Sequence, residues 1–138
     1  AATREEAIER SMMMWGLIGT KDSGVSDDEL RAKIEAAYDR SNYPIGPRRQ
    51  IAAIGETGDL RPHTRKITAP ALVIHGDADP LVPKEGGMDI AKNIPGATLE
   101  LIEGMGHDLP NKYLKRITGL IIDHMKAAVP SLSSEAAE

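Results

Sequence analysis

Between residues 71 and 102 the chain reads as strand, helix, strand, and that order constrains the fold more than any other feature. Ala71-Leu72-Val73-Ile74-His75 is a short unbroken apolar run with β-branched members, bounded by Pro70 and Gly76. A run of that length is a strand rather than a helix, and continuous apolarity in place of alternation marks a strand covered on both faces of a parallel sheet. Lys84 to Asn93 then reads as a helix and Thr98 to Ile102 as a second strand, before Leu114, Ile117, Leu120, Ile121, His124 and Met125 give a last helix a continuous apolar face. Strands separated by a helix cannot pair as a hairpin, so the two are predicted to be parallel and joined by a right-handed crossover. The class is α/β, with a βαβα unit at its centre.

What precedes this unit is helical. Thr3-Arg4-Glu5-Glu6 has the form of a capping box, and Ile8, Met12, Trp15 and Ile18 follow near helical period, which predicts a helix from Arg4 to Ile18. Gly19 and Lys21-Asp22-Ser23-Gly24 end it. A second capping box, Ser26-Asp27-Asp28-Glu29, opens a helix carrying Leu30, Ile34, Ala37 and Tyr38 on one face. Asn42 to Pro47 is dense in turn formers, a third helix is expected from Pro47 to Ile54, and Gly55 to Gly58 should break it before a polar segment from Asp59 to Lys66. The expected organisation is a helical module at 1–66, the βαβα unit at 67–130 and a small, polar, fraying tail at 131–138.

Composition removes several functions. With 41% apolar residues, 138 residues suffice for one core. Cysteine is absent, so disulfides, thiolate nucleophiles and cysteine-ligated metals are excluded together, and a cytoplasmic location is expected. A net charge of -4 without a basic stripe, and only 3% aromatic residues, argue against nucleic acid. No run approaches the roughly 20 apolar residues of a membrane span. The histidines show no metal-ligand spacing, and Gly104-Met105-Gly106 lacks the rest of a dinucleotide loop, so neither metal nor cofactor is expected.

Two residues carry chemistry. Parallel sheets gather ligands beyond the carboxyl ends of their strands, and Asp79 and His107 both fall there, on neighbouring loops. A carboxylate that fixes the tautomer of an imidazole base is two thirds of a Ser-His-Asp machine. Asp79 alone reads equally well as a turn former and His107 alone as a loop histidine; the pair is far more specific than either. His75 reads as a packing residue at a strand end, and Asp108 as an N-cap for the last helix. Met12, Met14 and Trp15 are candidates to line an apolar substrate pocket, or else pack as core at helical spacing. Ser11, Ser23, Ser26, Ser41, Ser131, Ser133 and Ser134 are the available hydroxyls, and none sits on a strand-to-helix elbow.

His75-Gly76-x-x-Asp79-x-x-Val82-Pro83 with a later Gly106-His107-x-x-Pro110 resembles the C-terminal half of the α/β-hydrolase superfamily, over about residues 67 to 128. The helical module is similar to the lid of those enzymes, and the whole looks most like bacterial esterases and methylesterases of the aclacinomycin-methylesterase type. The resemblance implies a partial α/β-hydrolase fold, Asp79 as triad acid, His107 as general base, and a small-molecule carboxylic ester as substrate. Asp77 matches a variable position. In the family the nucleophile elbow and oxyanion loop precede the lid, whereas no Gly-x-Ser-x-Gly, Gly-x-Asp-x-Gly or Gly-x-Cys-x-Gly occurs in these residues. The expectation is therefore the lid and acid-base half of a serine hydrolase. The alternative is a non-catalytic, truncated hydrolase that self-associates or binds small apolar ligands. Two strands alone leave both sheet edges unpaired, so a homo-oligomer or a complementary N-terminal half is expected to cover them.

Overall fold

The computed structural model describes residues 3–135. Helix α1 spans Arg4–Ile18 and α2 spans Asp27–Arg40, each opened by its expected capping box. At α1 the Glu6 N–H donates to Thr3 Oγ1 at 3.2 Å and the Thr3 N–H donates to Glu6 Oε2 at 2.8 Å, so two of the donors that any helix start leaves orphaned are satisfied. The two helices pack as a pair and bury Ile8 and Ile34. Arg4 bridges to Asp39, and Arg31 to Glu5 and Glu9, across their outer face.

Helix α3 spans Gly46–Thr57, three residues longer than expected at its C-terminus. Gly55 does not break it, because one glycine costs a helix only about 1 kcal/mol. The terminator is Gly58, whose φ of +68° suits glycine. The polar segment after it is not wholly irregular: α4, Arg61–Thr64, forms one helical turn where Asp59 Oδ1 accepts the Arg61 N–H at 2.9 Å. Among the described elements α3 packs against none, and it leaves Ile51 and Ile54 exposed.

The βαβα unit follows as read: β1 (Leu72–Gly76), α5 (Lys84–Asn93), β2 (Thr98–Ile102) and α6 (Asn111–Glu135). The strands are parallel, in a register running from Leu72 opposite Thr98 to Gly76 opposite Ile102. β1 starts one residue later than expected, at Leu72, although the Ala71 carbonyl still accepts the Thr98 N–H at 2.9 Å. Side chains alternate across the sheet. His75 meets Gly87 of α5 on one face, while Ile74, Ile102 and Met105 pack with Ile117, Tyr113 and Leu120 of α6 on the other. The core is thus a three-layer α/β/α sandwich, centred on Ile102.

Two expectations need correction. β1 is half-buried rather than fully covered, because the described sheet has only two strands and both edges are open. For the same reason the apolar face of α6 outruns its support: Ile117 is buried, but Leu114, Ile121 and Met125 are exposed. Two strands about 4.8 Å apart are no wider than one helix of roughly 10 Å diameter. At the end of the chain, α6 continues through residues 131–135, and the rest of the expected tail, 136–138, lies outside the described residues. Among the described residues no helix is long and apolar enough to cross a membrane.

Candidate active site

The loops leaving β1 and β2 are laced together by their backbones. The Asp77 N–H donates to the Ile102 carbonyl and the Ala78 N–H to the Met105 carbonyl, both at 3.1 Å, while Asp77 Oδ1 accepts the Gly104 N–H at 2.7 Å. Gly76 makes the lacing possible, since a Cβ there would stand 2.1 Å from the Met105 carbonyl oxygen. Asp77, the near neighbour of the candidate acid, is in this way occupied with holding one loop to the other.

Asp79 is differently placed. Its Oδ1 accepts the Leu81 and Val82 N–H groups at 2.8 and 2.9 Å, and its Oδ2 lies 2.8 Å from His107 Nδ1. The carboxylate is only 6% exposed and the imidazole 39%. Burial opposes ionisation of Asp79, but the Val82 amide, the His107 ring and the Leu81 amide outweigh it and hold the carboxyl below its ordinary range. An ionised carboxylate only accepts, so Nδ1 of His107 carries the proton and a neutral ring keeps its lone pair on Nε2. That nitrogen makes no hydrogen bond to any described residue.

His75 is the packing residue expected, with a further contact. Its Nε2 lies 2.9 Å from the Val82 carbonyl, which only accepts, and 3.9 Å from Asp79 Oδ2, too far for a hydrogen bond. The ring rests on Gly87, where a Cβ would come within 2.8 Å of Nδ1. His75 therefore braces the turn whose amides hold Asp79.

The anchorage of His107 was not apparent in the sequence. Asp108 does not cap α6, which starts at Asn111; its Oδ1 instead accepts both the N–H of Thr20, at 3.0 Å, and the Thr20 hydroxyl. The same hydroxyl accepts the Gly106 N–H at 2.8 Å, and the His107 N–H donates to the Ile18 carbonyl at 2.8 Å. Gly106 is pressed against Gly19, where a Cβ would approach to 2.6 Å. The one available signal was Gly106 itself, a glycine in a run with no nucleotide role.

Beside this junction lies a cavity of about 610 Å³, walled by Trp15, Leu30, Ile34, Leu109 and Pro110 together with Asp108. Of the candidate pocket residues only Trp15 lines it. Met12 faces a separate cleft with Met13 and Glu9, and Met14 is half exposed. Ser11 donates to the Ala7 carbonyl, Ser26 caps α2, and Ser23 accepts the Val25 N–H; none of them bonds His107. Ser131, Ser133 and Ser134 fall among residues whose side chains are not described. Among the described residues no group of three or more His, Asp or Glu side chains is placed to hold a metal ion.

A family model described as serine aminopeptidase, S33, matches residues 18–112. Rhodomycin D methylesterase DnrP of Streptomyces peucetius is 29% identical over 144 residues, covering 93% of this chain and 43% of the relative. A 2-hydroxy-6-oxononadienedioate/2-hydroxy-6-oxononatrienedioate hydrolase of Cupriavidus pinatubonensis is 26% identical, covering 88% of this chain and 43% of its own. A solved structure described as an N-acyl homoserine lactone degrading enzyme superposes with a TM-score of 0.51 at 24% identity, over 82% of this chain and 44% of that one. The chain therefore spans less than half the length of these relatives.

Proposed function

The chain belongs to the serine aminopeptidase S33 family of α/β hydrolases, and on that premise we propose that it supplies the acid and the general base of a serine-type carboxylic ester hydrolase. The observation that carries this reading is the 2.8 Å contact between His107 Nδ1 and a buried Asp79 whose other oxygen is held by two amides. The carboxylate fixes the tautomer, and Nε2 then takes the proton of an attacking hydroxyl. Asp79 stabilises the imidazolium that forms. As the tetrahedral intermediate collapses, the proton passes to the leaving alkoxide, and a water molecule deprotonated by the same nitrogen releases the acid. The sum is ester plus water to carboxylic acid plus alcohol. The names of the relatives, a methylesterase among them, support an ester as substrate.

The nucleophile is the remaining requirement. With no elbow motif in these residues and no described serine bonded to His107, we place it in the part of such hydrolases that this stretch does not span. The test is turnover of p-nitrophenyl butyrate by the chain combined with the nucleophile-bearing half of a relative. His107→Ala is expected to abolish the turnover and Asp79→Asn to lower it by orders of magnitude. Unchanged hydrolysis by His107→Ala refutes the assignment. Intact mass after treatment with a serine-directed phosphonate then locates the nucleophile.

A second reading, binding without catalysis, is favoured by the cavity at Trp15 and by the exposed Ile51, Ile54 and Leu109. It expects small apolar ligands to bind in the absence of turnover, and copies of the chain to associate, which light scattering after size exclusion measures.

A further inference from the structure

We infer that Thr20 is a positioning residue for the His107 imidazole, acting through Gly106 and Asp108; this rests on the acid-base reading of the Asp79–His107 pair. Three consecutive residues, 106 to 108, are each tied to residues 18 to 20. The Gly106 N–H donates to the Thr20 hydroxyl, the His107 N–H to the Ile18 carbonyl, and Asp108 Oδ1 accepts from both the amide and the hydroxyl of Thr20. The partners are 86 and 88 positions apart in sequence, so nothing local produces the arrangement. Thr20 is itself buried, at 8% exposure, and its hydroxyl is used in both directions, donating once and accepting once.

The consequence for His107 is geometric. Its backbone is held on both sides as well as at its own amide, which leaves only the side-chain torsions to place the ring, and Asp79 then fixes those. Without the hydroxyl, the buried Gly106 N–H loses its acceptor and Asp108 loses one of its two donors, so the loop no longer has a single preferred position beside β1. Part of the constraint on the ring thus originates just beyond the end of α1, across the chain from the acid it serves. Backbone proximity completes the fit, because neither Gly19 nor Gly106 presents a side chain at the crossing.

The test reads the ring directly. In the full chain, the far-downfield proton NMR signal of His107 Nδ1–H, assigned by its disappearance in Asp79→Asn, is compared among Thr20→Val, Thr20→Ser, Asp108→Ala and Ile34→Val. The first of these removes the hydroxyl at nearly constant volume, the second retains it, and the third removes its acceptor at the cavity wall, where water can enter. The fourth loosens the α1–α2 pair without touching the clasp. The expected result is loss of the signal, or at least a halving of its intensity, in Thr20→Val and Asp108→Ala, with Thr20→Ser and Ile34→Val like the parent. A signal that persists unchanged in folded Thr20→Val overturns the proposal while leaving the pair intact. Loss in Ile34→Val as well, or failure of both Thr20→Val and Asp108→Ala to fold, shows general support of the fold and overturns a specific positioning role. Absence of the signal from the parent chain overturns the pair, and the clasp with it.

Discussion

Replacing Asp79 by Asn keeps the shape of the side chain and removes its charge, which makes it the sharpest probe of the site. The ionised carboxylate accepts three hydrogen bonds, two from amides and one from His107. Bonds to a charged acceptor contribute about 1.5–3 kcal/mol each, against about 1 kcal/mol for neutral ones. Asn retains its Oδ1 for the two amides and turns an N–H2 toward Nδ1 of His107, which accepts it only in the tautomer that carries the proton on Nε2, so three charge-assisted bonds become neutral ones. The gross loss is about 3–4 kcal/mol, reduced because a buried charge no longer has to be desolvated, for a net cost of about 2 kcal/mol. The sign with pH follows from the depressed carboxyl. Its stabilisation is complete above the unfolded-state value of about 3.9 and is lost as pH falls through the lower folded value. Urea unfolding followed by circular dichroism should therefore show the midpoint of Asp79→Asn about 1 M below the parent near pH 7, taking a slope of roughly 2 kcal/mol/M. The gap should shrink as pH is lowered below about 4. Asp39 and Asp59, also held low by arginines, are common to both proteins and cancel. A gap absent at neutral pH, or undiminished in acid, refutes the reasoning.

Three further outcomes are expected. Gly76→Ala sets a Cβ 2.1 Å from a backbone oxygen that itself accepts the Ala78 N–H, so relief requires breaking the lacing of the two loops; it should cost at least about 3 kcal/mol, seen as loss of the cooperative urea transition. Ile102→Ala empties the fully buried centre of the core and should cost about 3–4 kcal/mol, whereas Ile54→Ala, at a residue 73% exposed, should stay within about 0.5 kcal/mol; equal effects would mean the core is misplaced. Trp15 is the one tryptophan of the chain and lies on the cavity wall. Titration with a short aliphatic ester should change its fluorescence saturably, and an unresponsive Trp15 would remove the cavity from consideration as a ligand site.

The sequence was most legible where one local rule sufficed. Both capping boxes, the bounds of α1 and α5, and the parallel β1–β2 pair follow from neighbouring residues or from connection length. The proximity of Asp79 to His107 followed from a topological rule, that loops at the same end of adjacent parallel strands meet. What could not be read depended on contacts between distant segments. Asp108 has the composition of a helix cap and is used as a clasp because Thr20 happens to face it. Met12 and Trp15 share a helical stripe, yet only Trp15 lines the cavity while Met12 faces a separate cleft, and spacing alone does not say which. Gly55 looked like a breaker, but the stop belongs to Gly58, and composition alone does not distinguish a tolerated glycine from one held at positive φ.

The narrow sheet and the ordered site are compatible because they rest on different interactions. Hydrophobic burial needs area, and two strands between two helices offer little, which is why Leu114, Ile121, Met125 and the isoleucines of α3 stay exposed. The Asp79–His107 pair needs only the ends of those strands and the segment that follows α1, and there the chain concentrates its short-range constraints: two interloop amide bonds, two amides on one carboxylate oxygen, a glycine under the crossing and a threonine just beyond α1 gripping the loop. None of these involves the open edges or the exposed apolar faces. Covering those faces should raise global stability while leaving the His107 Nδ1–H signal where it is. If instead the signal appears only when the chain associates, the bonds between the loops are insufficient to hold the pair, and its geometry is a property of the assembly.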